Sequence, residues 1–410
     1  MIIEAARIFS AGQWMEPGWI EISGTLIQAI GRGEPPSEPD IRLDAALVPG
    51  FIDAHVHGGG GYSFNDADPA AARRIAEIHL RHGTTSIMAS LVTAPLEQLE
   101  ERVRTLAPKV RGGMLAGIHL EGPWLSPSHK GAHAADLLRA PDPREIKQLL
   151  QAGAGTVRMV TLAPELEGGL EALRQIVDRG AVVAIGHTDA TYEQTREAIR
   201  AGATAGTHIF NGMRPIHHRQ PGPATALLED QETFVELIAD GVHLHPAMIR
   251  TIFNGPANPV LVTDAMAAAA APEGNYKLGG LDVYVHDGQA RLASNGSIAG
   301  STLTLDAALR YAVQTAGVPL IDALTALTQH PAAMLGLTEV GVLEPGKRAD
   351  VLVLDSNLTV RAVMRAGRWV SQPSPGGSSE PQDSYGATRQ SLPDDAGGLA
   401  GFEVLQPGLR

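Results

Sequence analysis

Hydrophobic and polar positions change rhythm twice along the chain. Residues 1–46 alternate in short stretches, MIIEAARIF and then WIEISGTLIQAIGRG, with glycine at the bends, which predicts β-strands joined by turns. From residue 47 short apolar runs alternate with amphipathic segments. The runs at 47–57, 85–90, 114–121, 156–163, 182–187, 203–209, 235–241 and 259–264 predict eight strands with helices between them. The first of these helices is punctuated by Asp68 as N-cap, Pro69 at its first position and Gly83 just past its end. A glycine-rich stretch at 275–297 reads as a hairpin, and helices are expected over 302–316 and 320–335. Residues 340–370 return to strand texture.

Repeated strand–helix units predict an α/β fold with a (β/α)8 TIM-like barrel over 47–339, with an open doubly wound sheet as the alternative. Residues 1–46 and 340–370 together predict a small β-sandwich domain formed from both chain ends. Residues 371–410 are rich in proline, glycine, serine and acids, and predict a disordered tail.

Composition narrows the function classes. Hydrophobic residues make up 44% of the 410 and aromatics 4%, so the core is aliphatic and alanine-rich. The chain has no cysteine, which excludes disulfides, thiolate metal sites and a cysteine nucleophile. A net charge of -13 argues against a nucleic-acid partner, although a few local cations suffice for an anionic small molecule. The first ten residues lack a signal-peptide pattern, and no apolar run approaches membrane-spanning length. The expectation is a cytoplasmic protein with no membrane partner.

The candidate chemistry sits where predicted strands end. The first run closes on Asp-Ala-His-Val-His, and residues two apart on a strand point the same way, so His55 and His57 leave it side by side. The third strand ends at Glu121, the fifth at His187, the sixth at His208 and the eighth at Asp264. In a barrel, the C-terminal ends of strands converge on one mouth. Glu121, His187 and His208 then form one divalent-metal site with room for water, as hydrolytic metals require. His55 and His57 offer a second site, with a vestigial pair beside a single occupied site as the alternative, so one or two ions are expected per chain. The fourth strand, TVRMVTLAPE, contains no lysine, so Glu121 is the carboxylate available to bridge. Asp264 is placed to act as general acid and base, with metal ligation or capping as its alternative roles. His119 shares a strand face with Glu121 and is expected to support a ligand rather than be one. His217-His218-Arg219 is a small cationic island in an acidic chain, and arginine suits a phosphate. His79, His82, His129, His245 and His330 read as surface or capping histidines.

The segments PGFIDAHVHGGGG, HLEGPWLSPSHKGAH, IGHTDA, THIFNGM, IADGVH, VTDAMAAAA and NGSIAGS, in this order, resemble the N-acetylglucosamine-6-phosphate deacetylases of the amidohydrolase superfamily. The resemblance spans roughly residues 1–370. It implies a metal-dependent barrel capped by a β domain, a homodimer, and removal of acetate from N-acetyl-D-glucosamine 6-phosphate in amino-sugar metabolism. By position it makes Glu121, His187 and His208 metal ligands and Asp264 the catalytic acid/base. It places His133, with Ala132 beside it, at the acetamide and sugar, and gives Asn211 and Gly212 contacts to substrate. Arg219 and His243 become the phosphate pair, and Ile298, Ala299 and Gly300 a loop over the sugar. Retention of both His55 and His57 favours two ions, drawn from zinc, iron, manganese or cobalt. The alternatives are a deacetylase for the galactosamine epimer, another cyclic or acyl amide hydrolase, and an inactive scaffold of the same fold; Glu121 in HLEGP and the KGAH segment argue against a nucleobase deaminase.

Overall fold

In the computed structural model the described residues are 1–372, apart from Ala67 and Pro69. Eight parallel strands follow one another around a barrel. They are β1 (Phe51–Asp53), β2 (Thr84–Val92), β3 (Gly117–Glu121), β4 (Val157–Leu162), β5 (Val182–Ile185), β6 (Ala205–Gly206), β7 (Phe234–Ile238) and β8 (Asn258–Val262). Each strand pairs with its sequence neighbour in the barrel, so the hydrogen-bonded order is the chain order. The ring closes just past β1 and β8, where Asp264 N–H donates to the His55 carbonyl at 2.8 Å and Val56 bridges Ala265 in parallel. Parallel strands covered by helices are buried on both faces, and β2 is buried at every position.

The helices are α1 (Ala71–Arg81), α2 (Leu96–Arg111), α3 (Pro143–Gly153), α4 (Gly169–Val177), α5 (Tyr192–Arg200), α6 (Gly222–Leu228), α7 (Pro246–Phe253) and α8 (Leu305–Arg310), one after each strand. A π-type turn, Tyr311–Thr315, prolongs α8. Beyond it, Leu320–Leu327 and Gln329–Met334 form two helices divided at Thr328, where a single one was expected. The start of α1 also differs from expectation. Its N-cap is Ala70 rather than Asp68; Asp68 Oδ1 accepts the Ala70 N–H at 2.8 Å, so the acid anchors the turn ahead of the helix. Pro69 lies outside the described residues.

The strand expected at 47–57 is two strands. Residues Ile41–Pro49 belong to a second sheet, and the chain crosses at Gly50 into β1. Gly50 donates to the Asp350 carbonyl and Phe51 to that of Gly83, so partners change within one peptide. A side chain at Gly50 would lie 2.1 Å from Thr85 Oγ1, so only glycine fits this crossing without displacing its neighbour.

The second sheet combines strands from both chain ends. Ile41–Pro49 pairs in parallel with Ile2–Ser10 and antiparallel with Val351–Leu354. The sheet curls so that Ile3, Ile20 and Ile27 from one end meet Val351, Ala362 and Met364 from the other in a single apolar cluster. Its opposite face, with Phe9, Val48, Leu352 and Val363, joins the barrel core. The last strand, Arg368–Ser371, enters the stretch expected to be a tail, and beyond Gln372 that stretch lies outside the described residues.

The hairpin expected at 275–297 is a three-stranded antiparallel sheet, Gly274–Leu278, Leu281–His286 and Gln289–Leu292. Its inner face packs Leu278, Val283 and Leu292 on Met266, Ala267 and Ala268 beside the barrel mouth. Among the histidines set aside, His79 is a correction. It is buried in α1 with Nε2 donating to the Gly58 carbonyl, and burial lowers its pKa to about 4.

One ion-pair cluster joins the first and last barrel helices. Asp306 in α8 accepts from His82, at the C-terminal end of α1, at 3.2 Å and from Arg310 at 3.0 Å. Burial would raise its pKa, but these donors hold it well below the usual carboxylate range. A depressed native pKa contributes stability that is present above the unfolded value of about 3.9 and lost as pH falls through the native one. Asp306→Asn is therefore expected to lower unfolding free energy by about 1.5–3 kcal/mol at pH 7. The gap between the two proteins should narrow as pH falls below about 4. Urea unfolding at pH 7 and pH 3 checks this, and a deficit of equal size at both would contradict it.

Candidate active site

The ligand-type residues meet because the chain turns sharply at strand ends. His187, His208 and Asp264 all have positive φ, +47°, +24° and +48°. This conformation is unfavourable for side-chain-bearing residues and typical of sites where geometry outranks local comfort. It carries each side chain across the barrel mouth.

Two clusters result, sharing one carboxylate. His187 Nε2 and His208 Nε2 each lie 3.1 Å from Glu121 Oε1 and 3.1 Å from each other. On the other side, Glu121 Oε2 lies 3.2 Å from His57 Nε2 and 3.7 Å from His55 Nε2. Those two nitrogens are 3.0 Å apart, and Asp264 Oδ1 stands 3.2 Å from His57 Nε2 and 3.5 Å from His55 Nε2. All of these side chains are buried.

The remaining ring nitrogens decide what the clusters can hold. His55 Nδ1 donates to Glu236 Oε2 at 2.9 Å, His57 Nδ1 to the Ser90 carbonyl at 3.1 Å, and His187 Nδ1 to the His129 carbonyl at 2.9 Å. With Nδ1 protonated in the neutral ring, each Nε2 presents a lone pair to its neighbours. Lone pairs and carboxylate oxygens about 3 Å apart repel unless a cation lies among them. The donor set therefore fits a divalent transition metal, for which imidazole and carboxylate are ordinary ligands.

The carboxylates also draw positive charge into the site. Burial would push the His55 imidazole down, but Glu236, Glu121 and Asp264 hold it well above its ordinary value, so without a cation among them the ring takes up a proton in its place. Burial would raise Glu121, yet His55 and His133 keep it well below the carboxylate range. Asp264 is lowered likewise by His55 and His57 against burial. Beneath the ligands a polar chain replaces apolar packing: Ser90 Oγ to His119 Nδ1, His119 Nε2 to Thr161 Oγ1, each 2.9 Å, and Thr161 to Thr207 at 2.8 Å. His119 thus supports the site without joining the ligand atoms, and its ring meets that of His55 edge-on at 4.6 Å.

A cavity opens over the clusters. His133, Asn211, Gly212, His243, Ile298 and Gly300 line it, as does Ala132, while Ala299 is fully buried in the packing behind that loop. His133 Nδ1 is hydrogen-bonded to the Thr93 hydroxyl at 2.8 Å, and Nε2 stands 3.5 Å from Glu121 Oε2. Burial lowers its pKa to about 4, so the ring is neutral. Arg219 is not part of the lining. It lies on the exposed loop 215–220 with Nη1 2.7 Å from His218 Nε2.

A model of the amidohydrolase family matches residues 46–370. The chain belongs to the amidohydrolase family. It is similar to an N-acetylgalactosamine-6-phosphate deacetylase of Escherichia coli O157:H7, 40% identical over 377 residues, covering 90% of this chain and 99% of that protein. It is also similar to an N-acetylglucosamine-6-phosphate deacetylase of Lysinibacillus sphaericus, 36% identical over 328 residues, 78% and 84% of the two chains. Among solved structures it matches a Mycobacterium smegmatis N-acetyl-D-glucosamine-6-phosphate deacetylase, an aspartate-to-alanine mutant in complex with N-acetyl-D-glucosamine 6-phosphate. The identity is 48% and the TM-score 0.89, covering 91% of this chain and 99% of that one.

As an amidohydrolase the protein is a metal-dependent hydrolase of an amide bond. No helix among the described residues is long and apolar enough to cross a membrane. Sequence reasoning missed Glu236, which is fully buried in β7 and accepts from both His55 Nδ1 and the His208 N–H at 3.3 Å. An acid inside the apolar run VELIA was its visible signal. Thr93, Ser90 and Thr161 carried no comparable signal, because hydroxyl residues are common in strands.

Proposed function

We propose that this amidohydrolase cleaves the acetamide of N-acetyl-D-glucosamine 6-phosphate to D-glucosamine 6-phosphate and acetate. The observation that carries this reading is a single cavity shared by a metal-type donor set, the buried carboxylate of Asp264 and the His243 ring, whose Nδ1 is paired with Asp240. Glu121, His187 and His208 would hold one ion; His55 and His57, with Glu121 and Asp264, would hold a second. Zinc, iron, manganese and cobalt all suit these ligands. The ion, when bound, supplies an acidified water and polarises the amide carbonyl.

The remaining work falls to the chain. Asp264 takes a proton from the attacking water and returns it to the departing nitrogen, which is too basic to leave without one. His133, neutral and fixed by Thr93, faces the acetamide oxygen as negative charge develops there. Asn211, Gly212 and the Ile298–Gly300 loop orient the sugar, and His243 takes the phosphate. The relative named for the galactosamine epimer supports a second reading at the sugar's 4-hydroxyl. Acetate release from the two 6-phosphates separates them: a higher kcat/KM on the glucosamine epimer is expected, and the reverse would favour the second reading.

The functional unit is a homodimer in which Arg219 of the partner subunit completes the phosphate end. The support is Arg219 lying off its own cavity, on a loop where Ile216 is 51% exposed. Arg219→Ala is expected to weaken the phosphorylated substrate by about ten- to hundred-fold, the worth of a charged hydrogen bond, and unphosphorylated N-acetylglucosamine far less. At substrate levels too low to saturate Arg219→Ala, mixing it with Asp264→Asn chains should give more activity than the two give apart, through hybrid dimers. Equal losses on both sugars, or no recovery on mixing, would contradict this role.

A further inference from the structure

A buried ion pair flanks the cavity just past the seventh strand. β7 ends at Ile238, and Asp240 opens the turn Asp-Gly-Val-His. Asp240 Oδ2 accepts from His243 Nδ1 at 2.7 Å, while Oδ1 accepts the N–H groups of Val242 and His243 at 2.8 and 2.9 Å. Three donors keep this carboxylate ionised although it is largely buried. The His243 side chain is only 6% exposed and lines the cavity. With Nδ1 committed to Asp240, Nε2 is the nitrogen left for a ligand, and it has no partner among the described residues.

A histidine so buried would be neutral at pH 7 without a counter-charge. Burial would lower His243, but Asp240, with a smaller contribution from Asp264, raises it. Among the described residues those two carboxylates act on the ring, and with a cation at Asp264 the support comes from Asp240 alone. The Asp240–His243 pair is neutral as a whole, yet it presents its positive end, an Nε2–H donor, to the cavity. A phosphate dianion offers only acceptors; with Nδ1–H given to Asp240, the ring meets it with an N–H only in this protonated form, and a bare nitrogen would repel it.

We propose that Asp240 is a positioning residue that holds His243 as an imidazolium aimed at the substrate's 6-phosphate, and so sets the preference for phosphorylated over neutral sugar. The inference rests on the phosphate reading of His243 given above. It goes further in assigning the discrimination to a carboxylate that does not line the cavity.

The test compares kcat/KM on N-acetylglucosamine 6-phosphate and on N-acetylglucosamine for the wild type, Asp240→Asn, His243→Asn and the double variant. Asp240→Asn is expected to lose about ten- to hundred-fold on the phosphorylated sugar, mainly through KM. The loss should be at least about ten-fold larger than on the neutral sugar. Unopposed burial should also move the alkaline limb of the phosphorylated profile to lower pH. The double variant should lose no more than His243→Asn alone, since the two residues act as one unit. Equal losses on both sugars, an unmoved alkaline limb or additive losses would each overturn the role of Asp240. A wild type without preference for the phosphorylated sugar would overturn the phosphate reading itself, a result visible before any variant is made.

Discussion

Asp264→Asn is expected to keep its metal and its substrate affinity while turnover falls by at least about two decades, the usual lower bound for losing a positioned acid/base. The amide keeps the size of the carboxylate and one acceptor oxygen, but it cannot carry a proton between water and leaving nitrogen. The geometry makes this a demanding test, because Asp264 Oδ1 also stands 3.2 Å from His57 Nε2 and can ligate. Elemental analysis beside steady-state kinetics separates the roles. Metal retained with turnover lost identifies a proton carrier, and metal lost with activity identifies chiefly a ligand. Near-wild-type turnover would exclude Asp264 and move attention to His133.

The second large effect belongs to Glu121. Its two oxygens face different histidine pairs, so one substitution reaches both clusters. Glu121→Ala is expected to lower metal affinity by more than about a hundred-fold, beyond the range for losing a partner that merely orients a ligand. Activity should fall with it. His187→Ala should empty the first cluster alone, and His55→Ala with His57→Ala should cost at most one ion per chain. Metal analysis of the purified variants checks all three. Unchanged metal in Glu121→Ala or His187→Ala would contradict the assignment, and full metal with full activity in the double histidine variant would make that pair vestigial.

The barrel was legible because each strand is a short apolar run and each helix an amphipathic one. Its mouth was legible because five of those runs ended in histidine or acid. Where expectation and structure part, the cause is long-range. Residues 47–49 are as apolar as 51–53, and only pairing with Val351–Leu354, three hundred residues away, assigns them to the other sheet. The break at Thr328 and the displaced cap of α1 are likewise set by packing and backbone geometry rather than by residue type. At the site, Glu121, His187, His208, His55, His57 and Asp264 are brought together as their strand-end positions suggested. What stayed hidden is the support behind them. Glu236, Ser90 and Thr93 act through hydrogen bonds between elements distant in sequence, and no local spacing announces such bonds. Arg219 illustrates the converse: a cation visible in the sequence whose own chain places it off the cavity.

The central claim is that water, activated at this barrel mouth, divides an acetamide. Turnover of N-acetyl-D-glucosamine 6-phosphate in ¹⁸O-water, followed by mass spectrometry of both products, tests it most directly. The account predicts equimolar acetate and glucosamine 6-phosphate, with solvent oxygen in the acetate carboxylate, none in the sugar beyond the anomeric hydroxyl that exchanges with water unaided, and both products suppressed in Asp264→Asn. Absence of acetate, or acetate formed without solvent oxygen, would contradict it.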